Sequence, residues 1–439
     1  MAAYVDRIAT KGRILRPRKG RNWSLLEATW GCGQEVRVRW DGMSSRLFVP
    51  NFGFEDELAG RRMSRTARAA TMGLCGVWTP LLEASDQIVS WGIEGDSETS
   101  EQRQEFSFGQ GRRVEIVPWG WSVSVAKLAK TTGSTQQIPE LGVVERINRR
   151  SWAFKRESQM GMCPVGTTII ESIAELRALV AKGRDGGGGW VVKSDLGAAG
   201  RGQRRIRETT VDGVVLEWVA EMLKRDGLVI IEPWLDSIGE FGLQFEIGPG
   251  AKVRHCGVTE LLVTESGGYR GSRIGTRPQG MSPKALESLL AMVEPLVAEI
   301  GRCGYFGPLG IDSMRYRLPT GETAWRPLQD VNARHTMGRC ALEWESHIPH
   351  DVGASVLIVR WADPKSVDQQ LANAELKIGG LARAKRFSPQ TSPPDTVSGL
   401  VLLVYDQCAE NEAIEGRVVA DLERPNQASS AGGGVMLRS

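Results

Sequence analysis

Leu328-Gln329-Asp330-Val331-Asn332-Ala333-Arg334-His335-Thr336-Met337-Gly338 decides how this chain is built. The residues from Trp325 to Val331 make a run of strand length. Side chains two apart on a strand point the same way, so Asp330 and Asn332 share a face and Arg334 repeats the parity. The preceding predicted strand, around Leu309 to Ser313, carries Asp312. Two carboxylates and a carboxamide from successive strands form an oxygen donor set, which a hard divalent ion such as magnesium prefers. An arginine beside them suits a transferring phosphoryl group, because its guanidinium neutralises charge that develops on phosphate oxygens. Each residue taken singly is equally well read as an exposed acid or part of a buried ion pair.

Upstream, Ser282 to Gly301 is predicted to be helical, with Ser282 as cap, Pro283 in the first turn and a leucine- and valine-rich face. Leu228 to Ile231 is a continuous apolar run and therefore a buried strand, ending at Glu232-Pro233-Trp234-Leu235. Phe241 to Ile247 and Val253 to Val263 follow as a strand pair. Thr264 to Gly275, with Arg270 and Arg273 among glycines, is expected to be a loop. An arginine pair there suits a loop closing on a substrate carboxylate, and solvated arginines on a mobile surface loop are the alternative.

Glu171 to Lys182 has the capping-box spacing of Ser172 and Glu175 and a terminal Gly183, which marks a helix. Trp190 to Lys193 is a predicted strand that leads into Gly197-Ala198-Ala199-Gly200-Arg201-Gly202. Val192 stands where a P-loop needs glycine, and the glycine spacing is not the dinucleotide fingerprint. The segment still suits phosphate, because glycines let backbone N–H groups approach closely and Lys193 adds a point charge. An ordinary turn is the competing reading.

The chain has 439 residues, enough for two or three packed units. Its 41% hydrophobic and 24% charged residues are globular values, and a net charge of +3 does not imply nucleic acid. Basic residues cluster before Trp23, which suits an RNA- or membrane-touching arm but is more often a solvated, flexible terminus. Seven scattered cysteines without metal-binding spacing, no signal peptide and no run of about 18 apolar residues point to a reduced, cytoplasmic protein that does not enter a membrane. Val36 to Trp40, Leu47 to Val49, Gln87 to Trp91 and Val114 to Val117 are predicted strands, and Trp121 to Lys130 a helix, of a small α/β unit. Apolar runs at Ala354 to Val359 and Leu400 to Tyr405, joined by a link over Ser388 to Ser398, predict a small appended α/β piece.

The order Lys193, glycine loop, Glu232 to Leu235, Glu240, Asp312 and Asp330-Val331-Asn332-Ala333-Arg334 resembles the ATP-grasp superfamily over about 190 residues. That resemblance implies an α+β fold with a small N-terminal pre-ATP-grasp domain and a C-terminal appended piece. The expected divisions are a basic extension over 1–32, the N-terminal α/β domain over 33–145 and the core over 146–349, with lobes about 146–225 and 226–349. A C-terminal subdomain over 350–427 and a disordered tail over 428–439 complete the chain. It implies ATP bound by Arg150, Lys193, Gly197, Gly200, Gly202, Glu232, Trp234, Leu235 and Glu240. Magnesium, with manganese as a substitute, would sit on Asp312, Asp330 and Asn332. Arg334, Lys193, Arg270 and Arg273 would serve catalysis. Aspartate at position 330 stands where glutamate is commoner, and Pro233 removes one backbone donor from the hinge.

Asn51 to Leu58 and Asn332 to Gly338 are most similar to peptide ligases of the pheganomycin type. The implied reaction joins a small-molecule or peptide carboxylate to an amine through an acyl phosphate, releasing ADP, and leaves room for a homo-oligomer. An ATP-dependent carboxylase that activates bicarbonate and a catalytically silent ATP-binding scaffold are the alternatives. His335 is either a base for the amine or a structural residue.

Overall fold

A computed structural model of the chain describes residues 45–63, 73–83, 86–89, 114–183, 188–197, 202–275, 278, 281–349, 352–363, 365–387, 398–406 and 411–423. The basic arm, the Val36 to Trp40 strand, Gly200, most of the Ser388 to Ser398 link and the C-terminal tail lie outside the described residues. Among the described residues no helix is long and apolar enough to cross a membrane.

The strands form three sheets. In the first, β1 (Ser45–Val49) lies between β2 (Gln87–Ile88) and β3 (Val114–Pro118), with both pairings parallel. A parallel strand must cross over, and β1 and β3 each run straight into a helix, Phe54–Leu58 and Val123–Thr131. The second sheet is antiparallel, in the order β4 (Thr168–Ile170), β7 (Val229–Pro233), β5 (Trp190–Ser194), β6 (Gln203–Ile206). Helices Ile173–Ala181 and Gly213–Asp226 share its buried core. The N-cap hydroxyl of Ser172 accepts from the Glu175 N–H at 3.2 Å, as its spacing predicts.

The third sheet has eight antiparallel strands. Their order is β12 (Thr323–Asn332), β11 (Gly307–Arg317), β8 (Asp236–Ile247), β9 (Val253–Val263), β10 (Tyr269–Ile274), β13 (Val352–Arg360), β15 (Ser398–Asp406), β14 (Leu381–Arg386). Two-residue alternation sends Leu243, Phe245, Leu309 and Ile311 into one buried cluster with Leu289, Val293, Val297 and Ile300 of helix Pro283–Arg302. Gly242, Gln244, Gly310 and Asp312 therefore share the opposite face.

One expectation is corrected. Most of the second half of Thr264 to Gly275 is not a loop but β10, paired with β9 and β13 inside the large sheet. The C-terminal strands β13, β15 and β14 extend that sheet, and helices Val367–Lys377 and Asn411–Glu423 build a second core with Leu357, Val401 and Leu403. Arg273 stitches the two together. Its Nε and Nη2 donate to Glu415 at 2.9 and 2.8 Å and its Nη1 to Glu260 at 2.5 Å, while Ser355 and Tyr405 hydroxyls also donate to Glu415. Breaking a buried ion pair leaves an uncompensated charge. Glu415→Ala is accordingly expected to cost about 3 kcal/mol, read as a lower urea midpoint. An unchanged midpoint would show that the contact carries no weight.

Candidate active site

Register builds the centre of the site. Asp312 on β11 stands directly opposite Asp330 on β12, and Gly310 opposite Asn332. Directly opposed residues of an antiparallel pair share a face, so the carboxylates meet. Asn332 Nδ2 donates to Asp312 Oδ2 at 3.3 Å. Burial, then the neighbouring Asp330 charge, push the Asp312 carboxyl up to about 7. Two acids and an amide crowded together, one of them resisting ionisation, make a donor set that a divalent cation would relieve.

Two arginines flank this set. Arg150, the first residue of helix Arg150–Gln159, donates through Nη2 to Asp330 Oδ2 at 3.1 Å. Arg334 donates through Nη2 to Asn332 Oδ1 at 2.8 Å and through Nε to Glu55 Oε1 at 2.6 Å. Both are anchored from outside the motif. Asp195 accepts from the Ser151 N–H and from Arg149 at 2.8 Å each, and its carbonyl accepts from the Arg150 N–H at 2.9 Å. Asn148, which is buried, accepts from the Ala333 N–H at 3.0 Å and so fixes the turn between Asn332 and Arg334.

The glycine loop joins β5 to β6. Arg150 also donates to the carbonyls of Ser194 and Gly197, at 2.8 and 3.1 Å, tying the loop's base to Asp330. A Cβ at Gly197 or Gly202 would lie 2.8 or 2.6 Å from Ser194 Oγ, and 3.1 Å from the other glycine's Cα. Both positions therefore need glycine for close approach.

Lys193 Nζ is 2.6 Å from Glu232 Oε2, and Arg326 bridges Glu232 and Glu157 by four bonds of 2.9 to 3.0 Å. All four side chains are buried. Burial alone would raise the Glu232 carboxyl, but Arg326 and Lys193 overrule it and hold it below the ordinary range. Glu232 thus steadies Lys193 and is already committed to that pairing. Glu240 accepts from Gln329 at 3.4 Å, and burial raises its carboxyl. At the hinge, the Trp234 N–H is taken by the Gly189 carbonyl at 3.1 Å, and the Arg205 guanidinium lies 4.0 Å from the Trp234 ring centroid. The Leu235 N–H meets no acceptor among the described residues, which leaves a donor of the kind an adenine ring accepts.

Lys193, Glu232, Glu240, Asp312, Asp330, Asn332, Arg150 and Arg334 therefore fall into one connected region. Arg273 does not, since its guanidinium is committed to Glu260 and Glu415. Arg270 is half-buried and stands on β10 rather than on a closing loop. His335 donates from Nδ1 to the Pro118 carbonyl at 2.9 Å and packs edge-on against Trp78. Burial, partly countered by that bond, lowers its pKa to about 4, so it is a neutral structural residue. Trp119 and Trp121 are buried core residues. Sequence inspection misses Glu55, Asn148, Glu157, Asp195 and Arg326, whose partners are distant in the chain.

The fold has solved counterparts. N5-carboxyaminoimidazole synthetase from Staphylococcus aureus, complexed with ADP, matches with a TM-score of 0.52 at 11% identity, covering 87% of this chain and 97% of that one. The biotin carboxylase domain of the 2-oxoglutarate carboxylase of Hydrogenobacter thermophilus, complexed with magnesium–ADP and bicarbonate, matches at 0.52 and 13%, covering 88% and 91%. Carboxyaminoimidazole ribonucleotide synthase from Aspergillus clavatus, complexed with ATP, matches at 0.50 and 13%, covering 86% and 98%. No protein-family model and no curated protein matches the sequence. At these identities the likeness is one of fold: the chain has the α+β ATP-grasp fold.

The opposed acids carry a stability cost with a definite sign. Because the folded Asp312 carboxyl titrates near 7 instead of its ordinary 3.8, ionising it removes stability as pH rises through that window. In metal-free buffer at pH 8, Asp312→Asn is expected to raise stability by about 1 kcal/mol or more, a gain that vanishes near pH 4. A lower melting temperature for the variant at pH 8 would contradict the strained pair.

Proposed function

We propose that the chain is an ATP-dependent carboxylate–amine ligase. The observation that carries this is the facing of Asp312 and Asp330 beside Asn332, with Arg150, Lys193 and Arg334 around them. Asp312, Asp330 and Asn332 would hold magnesium, which supplies charge neutralisation on the phosphates of ATP. Arg150 and Lys193 bind those phosphates, each already seated by a carboxylate. The Leu235 N–H orients the adenine. A substrate carboxylate oxygen attacks the γ-phosphorus, ADP leaves, and an acyl phosphate forms. Arg334 stabilises the charge on the transferring group. An amine then attacks the acyl carbon, the amide forms and phosphate departs with the electron pair of the broken carbon–oxygen bond.

A peptide or amino-acid substrate, as in ligases of the pheganomycin type, is supported by where the two resembling segments lie. Glu55 of Asn51 to Leu58 contacts Arg334 of Asn332 to Gly338. Activation of bicarbonate is the second reading, favoured by the bicarbonate-bound fold neighbour from Hydrogenobacter. A silent scaffold would typically have lost its metal ligands, and all three are present.

ADP release from magnesium–ATP, assayed with amino acids and short peptides in donor–acceptor pairs and with bicarbonate alone, separates these. Stimulation by an acid and amine together is expected, and stimulation by bicarbonate without an amine would select the carboxylase. Asp330→Ala with Asn332→Ala should abolish turnover in a folded protein. Full turnover in that variant would move the metal site elsewhere.

A further inference from the structure

The N-terminal parallel sheet reaches the site through one charged side chain. Glu55 stands in the first turn of helix Phe54–Leu58 and is 5% exposed, with its Oε1 on the Nε–H of Arg334. Its neighbours hold it still. Asn51 exchanges hydrogen bonds with the Gly120 backbone at 2.8 and 3.3 Å, and Glu57 accepts from the N–H and hydroxyl of Ser124 at 2.7 and 2.8 Å. The loops leaving β1 and β3 are thereby locked to each other.

Arg334 is tied to the same edge. The His335 N–H donates to the Trp119 carbonyl at 2.8 Å and its ring to Pro118, while the Arg334 guanidinium lies 5.4 Å from the Trp119 ring centroid. Its Nη1 donates to the His335 carbonyl at 2.9 Å. A guanidinium has five N–H donors, and three go to Glu55, His335 and Asn332, so each Nη keeps one N–H for a ligand. A hydrogen-bonded chain then runs from Glu55 through Arg334 and Asn332 to Asp312.

We propose that Glu55 is a positioning residue for the reaction, contributed by the N-terminal sheet to the core. It pins the Nε edge of Arg334 so that the free Nη N–H groups face the transferring phosphoryl group. Its negative charge also offsets the guanidinium beside the divalent-cation ligands. Without it, Arg334 keeps its charge but loses its orientation, and an unneutralised cation repels the incoming metal. This rests on the ligase reading of the site, and part of its test does not.

The test compares Glu55→Gln, Glu55→Asp and Glu175→Ala with wild type. Glu55→Gln should lower kcat by roughly tenfold to a hundredfold with the KM for ATP nearly unchanged. By electron paramagnetic resonance it should also bind Mn2+ with ADP more weakly, by about threefold or more. Glu55→Asp keeps the charge and should recover part of both. Glu175→Ala removes the acceptor of the Glu171 N–H at the start of helix Ile173–Ala181, and should lower the melting temperature while leaving kcat and Mn2+ binding alone. A folded Glu55→Gln with wild-type kcat and Mn2+ affinity overturns the proposal, as does an equal loss in Glu175→Ala. If Glu55→Gln fails to fold, a folded Glu55→Ala with wild-type Mn2+ affinity and wild-type kcat does the same. Should wild type show no ligase turnover, the ligase reading falls, and the Mn2+ arm still decides Glu55.

Discussion

Two carboxylates are held face to face across β11 and β12, and the rest of the site is arranged around that strain. Like charges directly opposed on a sheet repel, and here one of the pair is also desolvated. The protein offsets the repulsion with guanidinium groups brought from two directions. Arg150 comes from a helix whose first turn is fastened to Asp195, and Arg334 from a turn fastened by Asn148. Each arginine occupies an atom that a metal would need, Asp330 Oδ2 and Asn332 Oδ1. On the proposed reading, metal entry would have to exchange those partners and free the arginine donors for phosphate.

A second charged group joins the sheets around the site. Glu232 on β7 and Arg326 on β12 belong to different sheets, and Glu157 comes from helix Arg150–Gln159. With Lys193 the four side chains balance in charge, which is what allows them to be buried. The arrangement sets the spacing between the four-stranded and eight-stranded sheets at the point where Lys193 projects. Glu232 thus links the joined sheets to Lys193, the residue proposed to contact the phosphates.

Much of this was legible in the sequence because it is local. Strand parity placed Asp330 and Asn332 on one face, the leucine and valine spacing gave helix Pro283–Arg302, and the glycine loop fell between two paired strands. What was not legible depends on pairing at long range. The alternation of Tyr269–Ile274 is interrupted by glycine and arginine, so it looks like a loop until β9 and β13 close on it. Arg273 looks like a ligand-binding arginine because its counter-charge, Glu415, lies in another element. Helix Arg150–Gln159 has a weakly apolar face, with Arg150 and Glu157 serving the site instead of the core. The roles of Asn148 and Glu55 do not show locally, since Asn148 acts through hydrogen bonds to the distant Ala333 backbone and Glu55 through one to the distant Arg334.

A crystal structure of the protein with ADP and magnesium tests the central claim most directly. The account predicts magnesium about 2.1 Å from oxygens of Asp312, Asp330 and Asn332, with Arg150 moved from Asp330 onto phosphate. A metal ligated elsewhere, with Arg150 still on Asp330, would contradict it.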